Sequence, residues 1–204
     1  MQYHGVIMAR RSEHTREQLK DLILTSARRI VQSEGIDALT ARKIAADIGY
    51  TVGTIYQHFG NMDDLVHRIN GDTLGMLFDC CCGIPATGLP KDRLFSLAKA
   101  FVNFAEMHPK EWEAVISYRY GPKHEWAAEY DEMVNRLLGL LAEATDGLYD
   151  EVNRNEQPLD VRLLWTSMFG IFSLHANGRL GKGVNLEDLV RRLIDTFIRS
   201  ASCR

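Results

Sequence analysis

The stretch that most constrains this chain is residues 39–59, LTARKIAADIGYTVGTIYQHF. Ile44, Ala45 and Ile48 recur at three- and four-residue spacing, so 41–48 is expected to form a short helix with one buried face. Thr40 stands where a hydroxyl can cap that helix, and Thr51 stands in the same place before a second short helix over 52–59. Gly49-Tyr50-Thr51 joins the two, with Gly49 at a sharp turn that calls for a positive φ. Ala45 is small where the helices approach, and Ile55 and Phe59 are expected in the core. Two short helices joined by a glycine-containing turn describe a helix-turn-helix, whose second helix can enter the major groove of DNA.

The remainder reads as helix throughout. Leu19, Leu22, Ile23, Ser26, Ala27, Ile30 and Val31 mark one face of a leading helix that ends at Gly35. Asn61 caps a longer helix over 62–82, with Asp63 and Asp64 in the first turn, where the helix dipole favours acids. Gly83 and Pro90 bound a breaker-rich loop. Further helices are expected over 91–108, 109–119, 123–148, 158–179 and 186–201. No segment alternates at period two. The fold class is therefore all-α with about nine helices: an N-terminal helix-turn-helix domain over 1–61 and a helical domain over 62–204.

Charge alone would not suggest a nucleic-acid partner, since the net charge is −3. Residues 1–71 hold nine Lys and Arg against eight Asp and Glu, whereas the rest holds fifteen against nineteen. The DNA reading therefore rests on the motif. No stretch approaches the roughly 20 apolar residues of a membrane span. Residues 1–11 lack a signal-peptide core, and Met8 offers an alternative start. Cys80, Cys81, Cys82 and Cys203 do not make a disulfide framework, so a cytoplasmic setting is expected.

Thr40, Ile44-Ala45, Gly49 and Gly53-Thr54-Ile55-Tyr56-Gln57-His58-Phe59 together resemble the DNA-binding domain of the TetR family of bacterial regulators, over about residues 15–65. The resemblance implies a dimeric regulator that binds a double-stranded, palindromic operator, most commonly as a repressor, and is released by a small molecule. It implies contacts from Thr51, Val52, Gly53, Thr54, Tyr56, Gln57 and His58 on or before the recognition helix, and from Thr40, Arg42 and Lys43 on the preceding one. Gln57 has the amide geometry to bond adenine, and Val52 can touch a thymine methyl. Met62 stands where the family commonly has a phosphate-binding lysine, which shifts weight to Arg10, Arg11 and Arg16.

The resemblance also implies a helical ligand-binding and dimerisation domain. His108-Pro109 resembles a helix break common in such domains, and Trp165 to Gly170 resembles the Trp-x-x-x-His-Gly segment of one subclass, with Phe169 in place of histidine. Phe101, Phe104, His108, Trp112, Tyr118, Trp126, Trp165 and Phe169 are the candidate effector-binding residues, with Asn103 and His175 as further polar candidates. Such a set either lines a pocket with a few polar fixers or is simply core. The last two helices are expected to pair two copies through Leu163, Phe172, Leu189, Leu193 and Phe197.

Cys80, Cys81 and Cys82 raise an alternative, a thiol- or metal-responsive regulator of the same fold. Adjacent helical residues point about 100° apart, so the three cannot ligate one ion without unwinding. A helical enzyme or carrier is the remaining alternative. No hydrolase, nucleotide-loop or zinc motif is present, and no enzymatic activity, cofactor or membrane partner is expected.

Overall fold

Each N-terminal helix starts where the sequence supplies a cap. Thr15 and Gln18 form a reciprocal capping box that opens α1 (Arg16–Glu34). Thr40 Oγ1 accepts the N–H of Lys43 to open α2 (Ala41–Ile48), and Thr51 Oγ1 accepts that of Thr54 to open α3 (Val52–His58). Asn61 caps α4 (Met62–Cys82) in the same way. Gly49 closes α2 in the left-handed region, with φ 73°, as the turn required. The chain continues through α5 (Pro90–Met107), α6 (Pro109–Ser117), α7 (Ala128–Ala144), α8 (Gln157–Ala176) and α9 (Leu186–Ser202). The structure, a computed structural model, describes residues 14–85, 87–122 and 128–202, and among these there is no strand.

Element identities follow the sequence expectation, and the ends shift for local reasons. The helix expected over 109–119 stops at Ser117 because Tyr118 turns extended and sends its side chain to α4. The segment expected over 123–148 is helical over α7, which ends at Ala144, and Gly147 then turns back with φ 91°. Arg10, Arg11, Trp126 and Cys203 lie outside the described residues.

Two cores form, and α4 belongs to both. The first buries Ile23, Ala27 and Val31 of α1 against Ile44, Ala45, Ile55 and Phe59. It also includes Leu65, Val66 and Ile69 from the first half of α4, and Ala114 from α6. The second gathers Leu74, Leu77 and Cys81 from the other half of α4 with the buried faces of α5, α7, α8 and α9. Gly71 and Gly75 lie one turn apart on α4 beneath Tyr130 and Met133 of α7, which lets those two helices run close.

A polar seam joins the halves. Asp63, His67 and Asn70 are spaced by four and three residues, so they share one face of α4. Asp63 accepts from the Tyr118 hydroxyl at 2.7 Å and from the Gly121 N–H at 2.8 Å. Asn70, 1% exposed, donates to the Ala114 carbonyl at 3.1 Å and to the Tyr120 hydroxyl at 2.9 Å. The His67 ring is buried against Tyr120 and Tyr130, with centroids 5.8 and 4.7 Å away. Burial pushes the Tyr118 phenol up, and the neighbouring Asp63 carboxylate adds to it. Burial likewise pushes Tyr120 up to about 12, partly opposed by the bond from Asn70. Both phenols therefore hold their protons firmly at neutral pH.

Replacing Asn70 with alanine removes two of these bonds from a buried site. The expected loss of stability is about 1–3 kcal/mol. Urea unfolding would show it as a lower midpoint at unchanged slope. An unchanged midpoint would mean that the seam does not hold the two halves.

Candidate nucleic-acid interface and the aromatic interior

The second and third helices are fixed by what lies beneath them. Ile44 is fully buried and Ile55 is 1% exposed, so the opposite faces of α2 and α3 turn to solvent. A buried hydroxyl reinforces this from α1: Ser26 donates to Asp47 Oδ2 at 2.5 Å, and Arg29 pairs with Oδ1 of the same carboxylate. The Ser26 bond, followed by Arg29, holds Asp47 below its ordinary carboxylate range. The sequence had placed Ser26 on an apolar face, and it is buried there because it has this partner. His14 and the Tyr50 hydroxyl meet at 2.9 Å and tie the turn to the start of α1.

Against that frame, Thr51, Val52, Gly53, Tyr56 and Gln57 form one exposed strip along α3, with Thr54 half-buried. Thr51 serves as cap, and its hydroxyl also lies 3.0 Å from that of Thr54. Thr40 and Arg42 are exposed on the neighbouring helix, whereas Lys43 is engaged with the Glu34 carboxylate. His58 differs from the rest of the set. It is half-buried, its Nδ1 lies 3.0 Å from the Thr54 carbonyl, and its Nε2 is buried without a partner among the described residues. Met62 packs against the first core. Arg16 is exposed on the first turn of α1.

In the other half, the aromatic candidates interlock. Phe101 stacks on Phe172 at 4.5 Å and meets Trp112 edge-on at 4.8 Å and Trp165 at 5.9 Å. Phe169 lies 5.4 Å from Trp112 and 6.1 Å from Trp165. The space left beside Phe101, Trp165 and Met168 is about 20 Å³, close to that of one water. Trp112 is wholly buried, and its indole N–H has no acceptor among the described residues. Phe104 packs on His108, which sits at the junction of α5 and α6 within 3.5 Å of Glu111. Tyr118 faces the other way, toward Asp63 and the first core, and does not join this group. Phe172 also departs from expectation: it is 2% exposed and faces its own core, so it cannot lie on a surface between copies.

Cys80 and Cys82 are exposed while Cys81 is buried. Burial, followed by its two cysteine neighbours, pushes the Cys81 thiol up to about 11 and away from the thiolate form that redox and metal chemistry use. No helix among the described residues is long and apolar enough to cross a membrane.

The seam of Asp63, His67 and Asn70 was not anticipated. Its signal was present as three polar residues at helical spacing on a helix otherwise apolar on that side. The dipole offered a sufficient reason for Asp63 on its own, and no local pattern names Tyr118 and Gly121 as its partners.

Comparison with known proteins agrees with this architecture. Residues 23–69 match the family model for "Bacterial regulatory proteins, tetR family", and residues 94–197 match that for "Tetracyclin repressor-like, C-terminal domain". No curated protein matches the chain. Among solved structures, a TetR transcriptional regulator from Rhodococcus sp. RHA1 is 17% identical with a TM-score of 0.66, covering 89% of this chain and 97% of its own. A tetR-family transcriptional regulator from Streptomyces coelicolor is 18% identical with a TM-score of 0.61, covering 92% and 82%. The fatty acid degradation regulator FadR from Bacillus halodurans is 17% identical with a TM-score of 0.63, covering 87% and 97%. At these identities the structures speak to the fold, while the two family models together account for both halves of the sequence. The chain belongs to the TetR family of bacterial transcriptional regulators.

Proposed function

We propose that the chain binds a palindromic operator as a homodimer, represses transcription there, and leaves the DNA when a small molecule occupies its C-terminal half. The observation that carries this reading is the exposed strip of Thr51, Val52, Gly53, Tyr56 and Gln57 on a helix pinned from below by Ile55. Gln57 supplies a bidentate donor and acceptor for an adenine edge, and Val52 supplies apolar contact for a thymine methyl. Gly53 keeps the backbone low beside the duplex. Tyr56 and Thr51 reach bases or phosphates from either side, and Thr40 and Arg42 bind phosphate. Lys43 contributes when it exchanges Glu34 for a phosphate. Thr54 and His58 shape the helix from its half-buried side.

Pairing of two copies is supported by α8. Leu159, Leu163 and Leu174 are 74%, 62% and 47% exposed along one face, with Thr166 and Gly170 between them. Half-buried Leu189, Leu193 and Phe197 of α9 lie at helical spacing beside that helix. A two-fold dimer of this kind sets two recognition helices an integral number of DNA turns apart.

For the effector, the aromatic interior is the proposed seat, with Phe101, Phe104, His108, Trp112, Trp165 and Phe169 around it. The unsatisfied indole N–H of Trp112 supplies a donor for a ligand acceptor, and half-buried Trp165 and Phe169 are the rings free to swing and open space. A ligand that needs the opened arrangement shifts the population toward it, and DNA that needs the closed one shifts it back.

Two outcomes are expected for DNA binding. Purified protein binds the duplex upstream of its own coding sequence in preference to a scrambled duplex, with affinity that falls as salt rises. Changing Gln57 to alanine weakens that binding by about 1–3 kcal/mol at one base position and leaves non-specific binding unchanged. If Gln57→Ala distinguishes the two duplexes as well as the parent does, Gln57 is excluded as a base reader; a parent that does not distinguish them contradicts the operator assignment. For the dimer, Leu163→Lys is expected to sediment as a monomer with unchanged helix content, and a retained dimer would move the interface off α8.

A further inference from the structure

The core that holds Phe101 offers a guest little besides apolar surface. Ser26, His67, Asn70, Thr73 and Thr145 are the buried polar residues among those described, and none of them belongs to it. Cations reach it only at the rim, where exposed Arg136 lies over the Phe78 ring at 3.9 Å and exposed Arg191 over the Phe95 ring at 4.5 Å. At the junction of α5 and α6, His108 and Glu111 face each other at 3.5 Å. A charge carried into the middle of this core therefore meets no partner among the described residues, and an unpaired buried charge is among the costliest groups a protein can hold.

Two buried side chains of this core carry a hydrogen-bond donor, the weak thiol of Cys81 and the indole N–H of Trp112. Trp112 is wholly buried, its Nε1 has no acceptor among the described residues, and the rings of Phe101 and Phe169 meet it edge-on at 4.8 and 5.4 Å. Phe101 is held in place, being 3% exposed and stacked on Phe172, whereas Phe169 is half-buried. The free space beside Phe101, about 20 Å³, is close to that of one water. An organic guest must therefore take the place of a ring that leaves. Phe169 and Trp165, one turn apart on α8, are the half-buried rings able to leave. Met168, unbranched and adaptable, can refill what a departing ring does not yield cleanly.

We infer, on the reading that the aromatic interior is the effector seat, that the effector is an uncharged molecule built on one aromatic ring with a single strong acceptor oxygen, which takes the place of Phe169 and accepts the Trp112 N–H. Carboxylates, phosphates and protonated amines are refused as classes, because nothing described in the core balances them. An aryl ketone or ester meets the requirement. Its carbonyl supplies the bond that the buried indole lacks, and its ring restores edge-to-face contact with Phe101 and Trp112. A guest without an acceptor fills the same space and leaves the N–H unpaired, so it binds more weakly.

Titration of the full-length protein with acetophenone, followed through the ¹H–¹⁵N indole signals of its tryptophans, tests this. Ethylbenzene lacks the acceptor, and benzoate and benzylammonium place a negative and a positive charge on the same ring. Trp112→Phe and Trp165→Phe variants assign the signals. Acetophenone is expected to give a saturable downfield shift of the Trp112 indole proton, and ethylbenzene to bind about tenfold more weakly. Neither ion is expected to shift Trp112 or Trp165 saturably. Trp112→Phe, followed through Trp165, is expected to lose the preference for acetophenone over ethylbenzene. Equal affinity of the parent protein for those two compounds would overturn the role of the N–H, and a saturable shift with either ion would overturn the neutral class, while both results would leave the seat in place. No shift of Trp112 or Trp165 with any of the four compounds would remove the seat itself, and the effector class with it. The four-compound comparison uses the parent protein, so it decides the matter even if Trp112→Phe does not fold.

Discussion

The carboxylate of Asp63 is the point on which the molecule turns. It lies on the first turn of α4, just after the recognition helix, and it binds a hydroxyl and a backbone N–H from the connection beyond α6. Seven residues on, Asn70 repeats the connection to the Ala114 carbonyl and Tyr120. Between them, His67 is buried among tyrosine rings. Hydrogen bonds are directional, so this seam fixes a register that apolar packing alone would leave free to slide. Because α4 also supplies Leu65 and Ile69 to one core and Leu74 and Leu77 to the other, a rotation of α4 cannot occur in one core alone. The angle of the exposed strip on α3 is thus tied to the packing around α5 to α8.

That arrangement gives the proposed regulation a physical route. Close-packed interiors switch between discrete arrangements more readily than they deform continuously. The interior around Phe101 is filled, so a guest there must displace rings, and displaced rings press on the second half of α4 through Leu77 and Cys81.

The local architecture was legible in the sequence. Thr40, Thr51 and Asn61 each mark a helix start because a short side-chain oxygen is needed there, and Gly49 marks the turn because a positive φ is needed there. Helix periodicity found α1 and the buried faces of α2 and α3 for the same kind of reason. Relations between distant residues were not legible. Phe172 has the spacing of an interface residue, yet it stacks on Phe101, seventy-one positions earlier. Tyr118 has the composition of a pocket residue, yet its hydroxyl serves Asp63. His58 belongs to the motif of the recognition helix, yet its ring turns inward to a groove whose other wall is α7. In each case residue type and periodicity are right, and the partner is set by how helices far apart in sequence come together.

The most direct test of this account is equilibrium unfolding in urea followed by two probes. All three tryptophans, Trp112, Trp126 and Trp165, lie beyond α4 and report on the C-terminal half. A fluorophore attached at exposed Glu17 in the first turn of α1 reports on the DNA-binding half. A shared α4 held by Asp63 and Asn70 predicts superimposable transitions with one midpoint. Two separated transitions, with the N-terminal probe melting first while the tryptophans stay native, would contradict it and leave the halves as independently folded units on a flexible joint.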